Sequence, residues 1–192
     1  MPRHEIGSVV TEVGTKVTKF KIGDRVGIGC MIGSCDNCAN CGDNLENYFL
    51  EMVPIHGGKF SPNNDREDFN GTINYGCFSD IMVHFVFKFP NNMRLNGGAP
   101  LFCAGITVYS PLRYYGLDKP KVHIGMVGLD GLGHMAVKFA KAMGLRVTVI
   151  NTSPSKKEEA INHLGANAFL VSHDAEQMQE CYVPASYFLT CT

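Results

Sequence analysis

The chain has 192 residues, a net charge of −1, 45% hydrophobic and 18% charged residues. That balance is globular rather than disordered, fits one or two domains of about 100–200 residues each, and offers no electrostatic case for nucleic acid or an acidic membrane. No apolar run approaches the ~20 residues of a membrane span, and the polar start Met1-Pro2-Arg3-His4-Glu5 lacks a signal peptide's apolar segment, so the cytosol is expected.

The first half has β character. Ile6–Val13 is rich in β-branched residues and Gly14-Thr15 follows as a turn. Phe20–Gly29 contains a turn, Lys21-Ile22-Gly23-Asp24, that feeds a short apolar strand. Cys30–Phe49 is a lobe rich in Gly, Asn, Asp and Cys without clear periodicity, and Ser61–Gly71 has the polarity of an exposed loop. Tyr75–Val83 and Val86–Phe89 are predicted strands, ended by Pro90-Asn91-Asn92.

The second half changes period. Leu101–Leu117 has helical spacing that Pro111 should kink or restart. Val122–Val127 is a short apolar strand, and Gly131–Met143 an amphipathic helix closed by Gly144. Leu145–Ile150 is a second strand. Ser153-Pro154-Ser155 opens a helix, with Ser155 and Glu158 at capping-box spacing, and Ala166–Ser172 is a third strand. Strand, helix, strand, helix, strand with short loops is one dinucleotide-binding half of a doubly wound sheet. Gln179–Thr192 shows no clear period.

Gly128-Leu129-Asp130-Gly131-Leu132-Gly133 lies between a strand and a helix. A lone GxGxxG is weak evidence, but this placement makes it a phosphate-binding turn. Its glycines serve a tight turn, close approach of backbone to pyrophosphate, and close helix–strand packing. Asp130 stands at the second of those positions and sets a negative charge beside two phosphates. At about 6 Å and an effective dielectric near 20, each unit charge repels by roughly 3 kcal/mol.

An NAD-specific fold carries Asp or Glu about 20 residues further on. Here the stretch is Asn151-Thr152-Ser153-Pro154-Ser155-Lys156-Lys157. Hydroxyls and two cations suit a 2′-phosphate, so NADP(H) is favoured. The plainer account makes the serines helix caps and the lysines solvated, and both can hold together.

Cys35-Asp36-Asn37-Cys38-Ala39-Asn40-Cys41 is the strongest metal signal among the 8 cysteines. Thiolates at this spacing can converge on one ion, and structural zinc wants four ligands. An iron–sulfur run would continue with Cys and Pro, and a redox CxxC would adjoin a βαβ unit; neither is present. Cys30 is nearby, its direction open. His4-Glu5 and Cys103 are weak signals alone: a terminal histidine is usually solvated and a lone cysteine usually a small buried residue.

Taken together, His4-Glu5-Ile6, the Gly33–Cys41 lobe, Asp43–Tyr48, Cys103–Pro111, the Gly128–Gly133 turn and Thr152–Ala160 resemble the zinc-dependent medium-chain alcohol dehydrogenases, the plant cinnamyl alcohol dehydrogenases above all. The resemblance runs from Met1 to about Gln179. It implies an α/β fold: a partial GroES-like β-barrel catalytic domain over residues 1–119, then the first half of a Rossmann doubly wound domain over 120–178 and a divergent tail over 179–192. It implies NADPH-dependent, reversible reduction of cinnamaldehydes, the chemistry of lignin precursors. Zinc acts there as a Lewis acid on the carbonyl oxygen.

By match, His4 and Cys103 are catalytic-zinc ligands, with Glu5 in or beside that shell. Cys35, Cys38 and Cys41 are structural-zinc ligands. Thr107, Gly128, Leu129, Asp130, Gly131, Leu132, Gly133, Asn151, Thr152, Ser153, Pro154, Ser155 and Lys156 line the NADP site. The implied partner is a small aromatic alcohol or aldehyde, in a homodimer formed through late Rossmann strands beyond those seen here. Both zinc sites are expected to be incomplete. The family's first catalytic-zinc cysteine lies upstream of His4, and its fourth structural-zinc cysteine matches Phe49, which cannot ligate. A zinc-free reductase of the quinone-reductase kind shares the glycine turn but leaves the cysteine lobe unexplained.

Overall fold

The computed structural model describes residues 4–35, 37–50, 52–59, 73–76, 86–180 and 187–190. The chain divides into two units, Met1–Cys103 and Ala104–Thr192. The expected loop over 61–71 and the expected strand residues 77–83 lie outside the described residues.

In the first unit the strands are β1 (Ile6–Val9), β2 (Arg25–Ile28), β3 (Met31–Gly33), β4 (Val53–Pro54), β5 (His56–Lys59), β6 (Ile73–Tyr75) and β7 (Phe87–Lys88). Two short helices, α1 (Ala39–Gly42) and α2 (Leu95–Gly98), join them. All pairings are antiparallel, in sheets ordered β1-β2-β7, β3-β4 and β5-β6. The turn into β2 needs Gly23, whose φ of +88° few side chains tolerate. Next to it Asp24 is buried. Its Oδ2 accepts from the Lys21 amide at 3.1 Å and from Lys88 Nζ at 2.9 Å. The Lys88 hydrogen bond above all holds this carboxyl below the usual aspartate range, and it ties β7 to the start of β2. Ile28, Ile32, Val53 and Ile55 form the small core. Gly27 lets aromatic rings lie on β2: a Cβ there would sit 2.0 Å from the Phe102 ring.

In the second unit the elements are α3 (Ala104–Tyr114), β8 (His123–Val127), α4 (Gly131–Ala142), β9 (Arg146–Asn151), β10 (Ala168–Val171), α5 (Ala175–Glu180) and β11 (Tyr187–Thr190). The sheet is parallel with order β10-β9-β8-β11. That is the 3-2-1-4 portion of the doubly wound order. Ile124, Met126, Val147 and Val149 of the sheet pack with Ala136, Val137 and Ala140 of α4, all buried. α4 ends in a Schellman motif. Gly144 at φ +80° follows it, the Leu145 amide donates to the Ala140 carbonyl at 2.9 Å, and the Gly144 amide to Lys141 at 3.0 Å.

Three local expectations change. α3 runs through Pro111 without interruption. One lost hydrogen bond is outweighed there by packing of Val108 and Leu112, both buried. The stretch after β9 opens as a 3-10 turn, Pro154–Lys156, with Ser153 at the cap position and no side-chain cap bond, so Ser155 and Glu158 form no capping box. It continues into a π-helical turn, Glu159–His163, closed by the Leu164 amide on the Glu159 carbonyl at 3.0 Å. Finally, the stretch after Met178 holds the fourth parallel strand. Phe188 pairs with Gly125 in register, and a Cβ at Gly125 would lie 2.5 Å from the Phe188 ring. The glycine makes room for the aromatic ring, a cross-strand match that no local periodicity announces.

Candidate metal and dinucleotide sites

β3 delivers the chain to Cys35, Cys38 caps α1, and Cys41 lies within it. The three thiol sulfurs all lie within 4.8 Å of one another. Cys35 and Cys41 are 3.8 Å apart, and Cys38 and Cys41 3.5 Å. Thiolates holding zinc at about 2.3 Å in a tetrahedron stand about 3.8 Å apart, so these three corners fit the ion. The Asn37 amide in first place holds the Cys35 thiol below its usual range, with help from the Cys38 and Cys41 thiols. Cys38 goes the other way: the Cys41 amide favours its thiolate, but burial and the neighbouring thiols outweigh it. Asn40 donates to the Tyr48 carbonyl at 3.1 Å, tying α1 to the segment that carries Phe49. Among the described residues the cluster is a candidate zinc site with three ligands and no full tetrad.

His4 and Cys103, 99 residues apart in sequence, meet with His4 Nε2 3.0 Å from Cys103 Sγ. The fold brings them together in two steps. β1 aligns on β2 with Ile6 facing Ile28. Gly29 then lies against the Phe102 carbonyl, which a Cβ there would approach to 3.1 Å. Burial first, then the charges of Glu5 and Cys30, push the Cys103 thiol up. Cys30 is exposed and is not among the three thiols that cluster in the lobe. A nitrogen and a thiol at this separation offer two of the three protein ligands a catalytic zinc needs.

In the second unit the glycine turn has the backbone it was expected to have. Gly128 sits at φ +94°. A Cβ on Gly133 would lie 2.3 Å from the Gly128 carbonyl oxygen, so only glycine lets α4 start this close to β8. Leu129 is buried in the core, Leu132 packs against it, and Gly131 opens onto free space. Asp130 is different. Its φ of −110° is ordinary extended backbone and it makes no side-chain cap bond. The fold therefore tolerates Asp here, and only a phosphate would object. The side chain is 91% exposed. Near the dielectric of water, each phosphate charge at about 6 Å costs about 0.7 kcal/mol. Two phosphates then lose roughly tenfold in affinity, less than the estimate at a dielectric near 20.

Lys156 Nζ reaches back from the stretch after β9 to the Leu129 carbonyl at 3.1 Å. It also stands 3.8 Å from Asp130 Oδ1 and 3.8 Å from Glu159 Oε2. Glu159 Oε1 accepts from His134 Nε2 at 2.7 Å, and His134 Nδ1 faces the Asp130 carbonyl at 2.8 Å. The His134 hydrogen bond above all holds the Glu159 carboxyl below its usual range. Asn151 Oδ1 accepts the Ser153 amide at 2.9 Å, shaping the turn. Thr152, Ser153, Pro154 and Ser155 are exposed, and Thr107 is exposed on α3. The backbone fits a dinucleotide; the Asp130 carboxylate does not fit its phosphates. Sequence reasoning did not foresee His134 and Glu159, because their link to the turn spans 25 residues.

Residues 1–90 match the family model of the alcohol dehydrogenase GroES-like domain, and residues 131–192 that of the zinc-binding dehydrogenases. A probable mannitol dehydrogenase of Fragaria ananassa is 59% identical over 182 residues, 93% of this chain and 48% of that protein. A cinnamyl alcohol dehydrogenase structure from Sorghum bicolor superposes with TM-score 0.90 and 47% identity, covering 98% of this chain and 53% of that one. The structure of CAD from Helicobacter pylori complexed with NADP(H) gives TM-score 0.77 and 37% identity, over 87% of this chain and 47% of that one. The chain thus spans about half the length of the curated relatives it matches. With its antiparallel GroES-like unit, its parallel Rossmann-like sheet and its thiol cluster, it belongs to the NAD(P)-dependent, zinc-dependent medium-chain alcohol dehydrogenase family, close to the plant cinnamyl and mannitol types.

Proposed function

We propose that this polypeptide keeps the dehydrogenase plan with impaired zinc and dinucleotide sites, and that by itself it transfers hydride too slowly to measure. The observation that carries this is the metal cluster: Cys35, Cys38 and Cys41 supply three thiols, and Phe49 stands where the family match places the fourth. His4 and Cys103 add a two-ligand start on a second zinc, with Glu5 beside it. Such a zinc, when bound, polarises a carbonyl oxygen. The chain's own part is to hold it at the end of β1 and to set the dinucleotide on the Gly128–Gly133 turn. Misplacing the reacting groups by about 1 Å costs about a hundredfold, so incomplete anchors reach the rate directly.

A second reading is favoured by the 3.0 Å approach of His4 to Cys103. It makes the chain part of an NADP-dependent cinnamyl-type dehydrogenase that reduces aromatic aldehydes related to lignin precursors. The domain limits 1–119, 120–178 and 179–192, the homodimer and the zinc and NADP residues that the resemblance implies go with that reading. So does a cytosolic setting, since zinc-binding thiols must stay reduced. NADPH oxidation with coniferaldehyde on zinc-loaded, monodisperse protein separates the two. No turnover above a His4→Ala control is expected; steady turnover above it overturns the impaired reading.

A further inference from the structure

We propose that Asp130 determines cofactor discrimination by occupying Lys156, so that its presence disfavours a 2′-phosphorylated dinucleotide more than an unphosphorylated one. This rests on the reading that the Gly128–Gly133 turn is the dinucleotide site. Lys156 is the cation that would meet a 2′-phosphate, lying just past the end of β9. It stands 3.8 Å from each of two carboxylates, Asp130 and Glu159. One positive charge is shared between two negative ones before any ligand arrives. Glu159 is further held by His134, whose other ring nitrogen faces the Asp130 carbonyl. The four residues thus close a ring over the start of α4, and Asp130 is the exposed member, not engaged in capping the helix.

Two penalties follow from one carboxylate. Its repulsion of the pyrophosphate falls equally on NAD(H) and NADP(H). Its hold on Lys156 falls only on the ligand that needs Lys156, the one with the 2′-phosphate. An exposed Lys–Asp pair is weak, so this second penalty is about two- to fivefold in affinity. The geometry predicts a narrowed NADP preference, with Asp130 as its cause.

The test is calorimetric titration of the full chain with ADP-ribose and with its 2′-phosphate, probes that lack the nicotinamide ring. Asp130→Gly is expected to tighten both, and to tighten the 2′-phosphate by about two- to fivefold more. Asp130→Asn, which keeps the shape and removes the charge, should reproduce that difference. In a Lys156→Gln background the difference should vanish. Equal gains for the two probes overturn the proposal and leave the dinucleotide reading standing. If neither probe binds any folded variant, as judged by circular dichroism, the dinucleotide reading itself fails and the proposal falls with it.

Discussion

The cysteine lobe and the glycine turn are both damaged versions of family sites, but in opposite ways. The lobe has lost a group: three sulfurs stand at zinc spacing and the fourth corner matches Phe49. The turn has gained one: its backbone is intact, and Asp130 adds a charge where a glycine was expected. Subtraction is the graver defect, because a tetrahedral ion cannot recruit a ligand from a benzyl side chain. Addition to a solvent-facing position is only a tax on binding, because water screens it.

The largest effect should come from breaking what the turn has kept. Gly133→Ala sets a Cβ 2.3 Å from the Gly128 carbonyl oxygen, and backbone cannot give way as a side chain tip can. We expect a loss of about 3 kcal/mol in the stability of the second unit, seen as a lower urea midpoint. A midpoint unchanged from the parent would mean that α4 does not start against β8. Next, Phe49→Cys should repair the lobe. Structural zinc sites in zinc-finger peptides hold the ion with about 10–16 kcal/mol from four ligands, so a fourth ligand should tighten binding by about a hundredfold. Metal analysis after dialysis against a competing chelator should move from substoichiometric to one zinc per chain. Failure to gain zinc would show that position 49 does not face the sulfurs.

The smallest effect concerns a residue outside both sites. His123 Nε2 lies 2.9 Å from Thr148 Oγ1, between β8 and β9. Burial first, and the Arg146 charge second, hold the imidazole below its ordinary value of 6.5. The unfolded chain therefore takes up the proton first as pH falls through 6.5. Below that point the second unit loses stability, until the folded ring protonates as well. Denaturation midpoints should fall between pH 7.5 and 5.5, and fall less in His123→Gln. An identical pH slope in both proteins would remove His123 as the cause.

Much of the fold was legible. Short apolar and β-branched runs locate β1, β2, β8, β9 and β10 to within a few residues, because strands such as β8 and β9 are buried on both faces, and the 3.6-residue spacing locates α4, which buries one face. The Gly128–Gly133 turn and the Cys35–Cys41 run were legible for a similar reason: their geometry is made within a few residues of chain. Pro111 does not restart the helix, because helix propensity is a local term and burial of Val108 and Leu112 holds the segment in place. The fourth strand escaped notice because its place depends on Phe188 finding a glycine 63 positions earlier.

By itself, then, the sequence determined the two-unit plan, the glycines that α4 cannot do without, and the three-cysteine cluster. Only the tertiary structure decided the company each group keeps. It brought His4 to Cys103 across the first unit, and it set Lys156 between Asp130 and Glu159. It also left Asp130 in water, which scales its effect down to a screened charge. The physical reason is range. Backbone geometry and side-chain periodicity act over a turn or two of chain, whereas charge pairing and desolvation depend on neighbours that folding brings from 26 to 99 residues away.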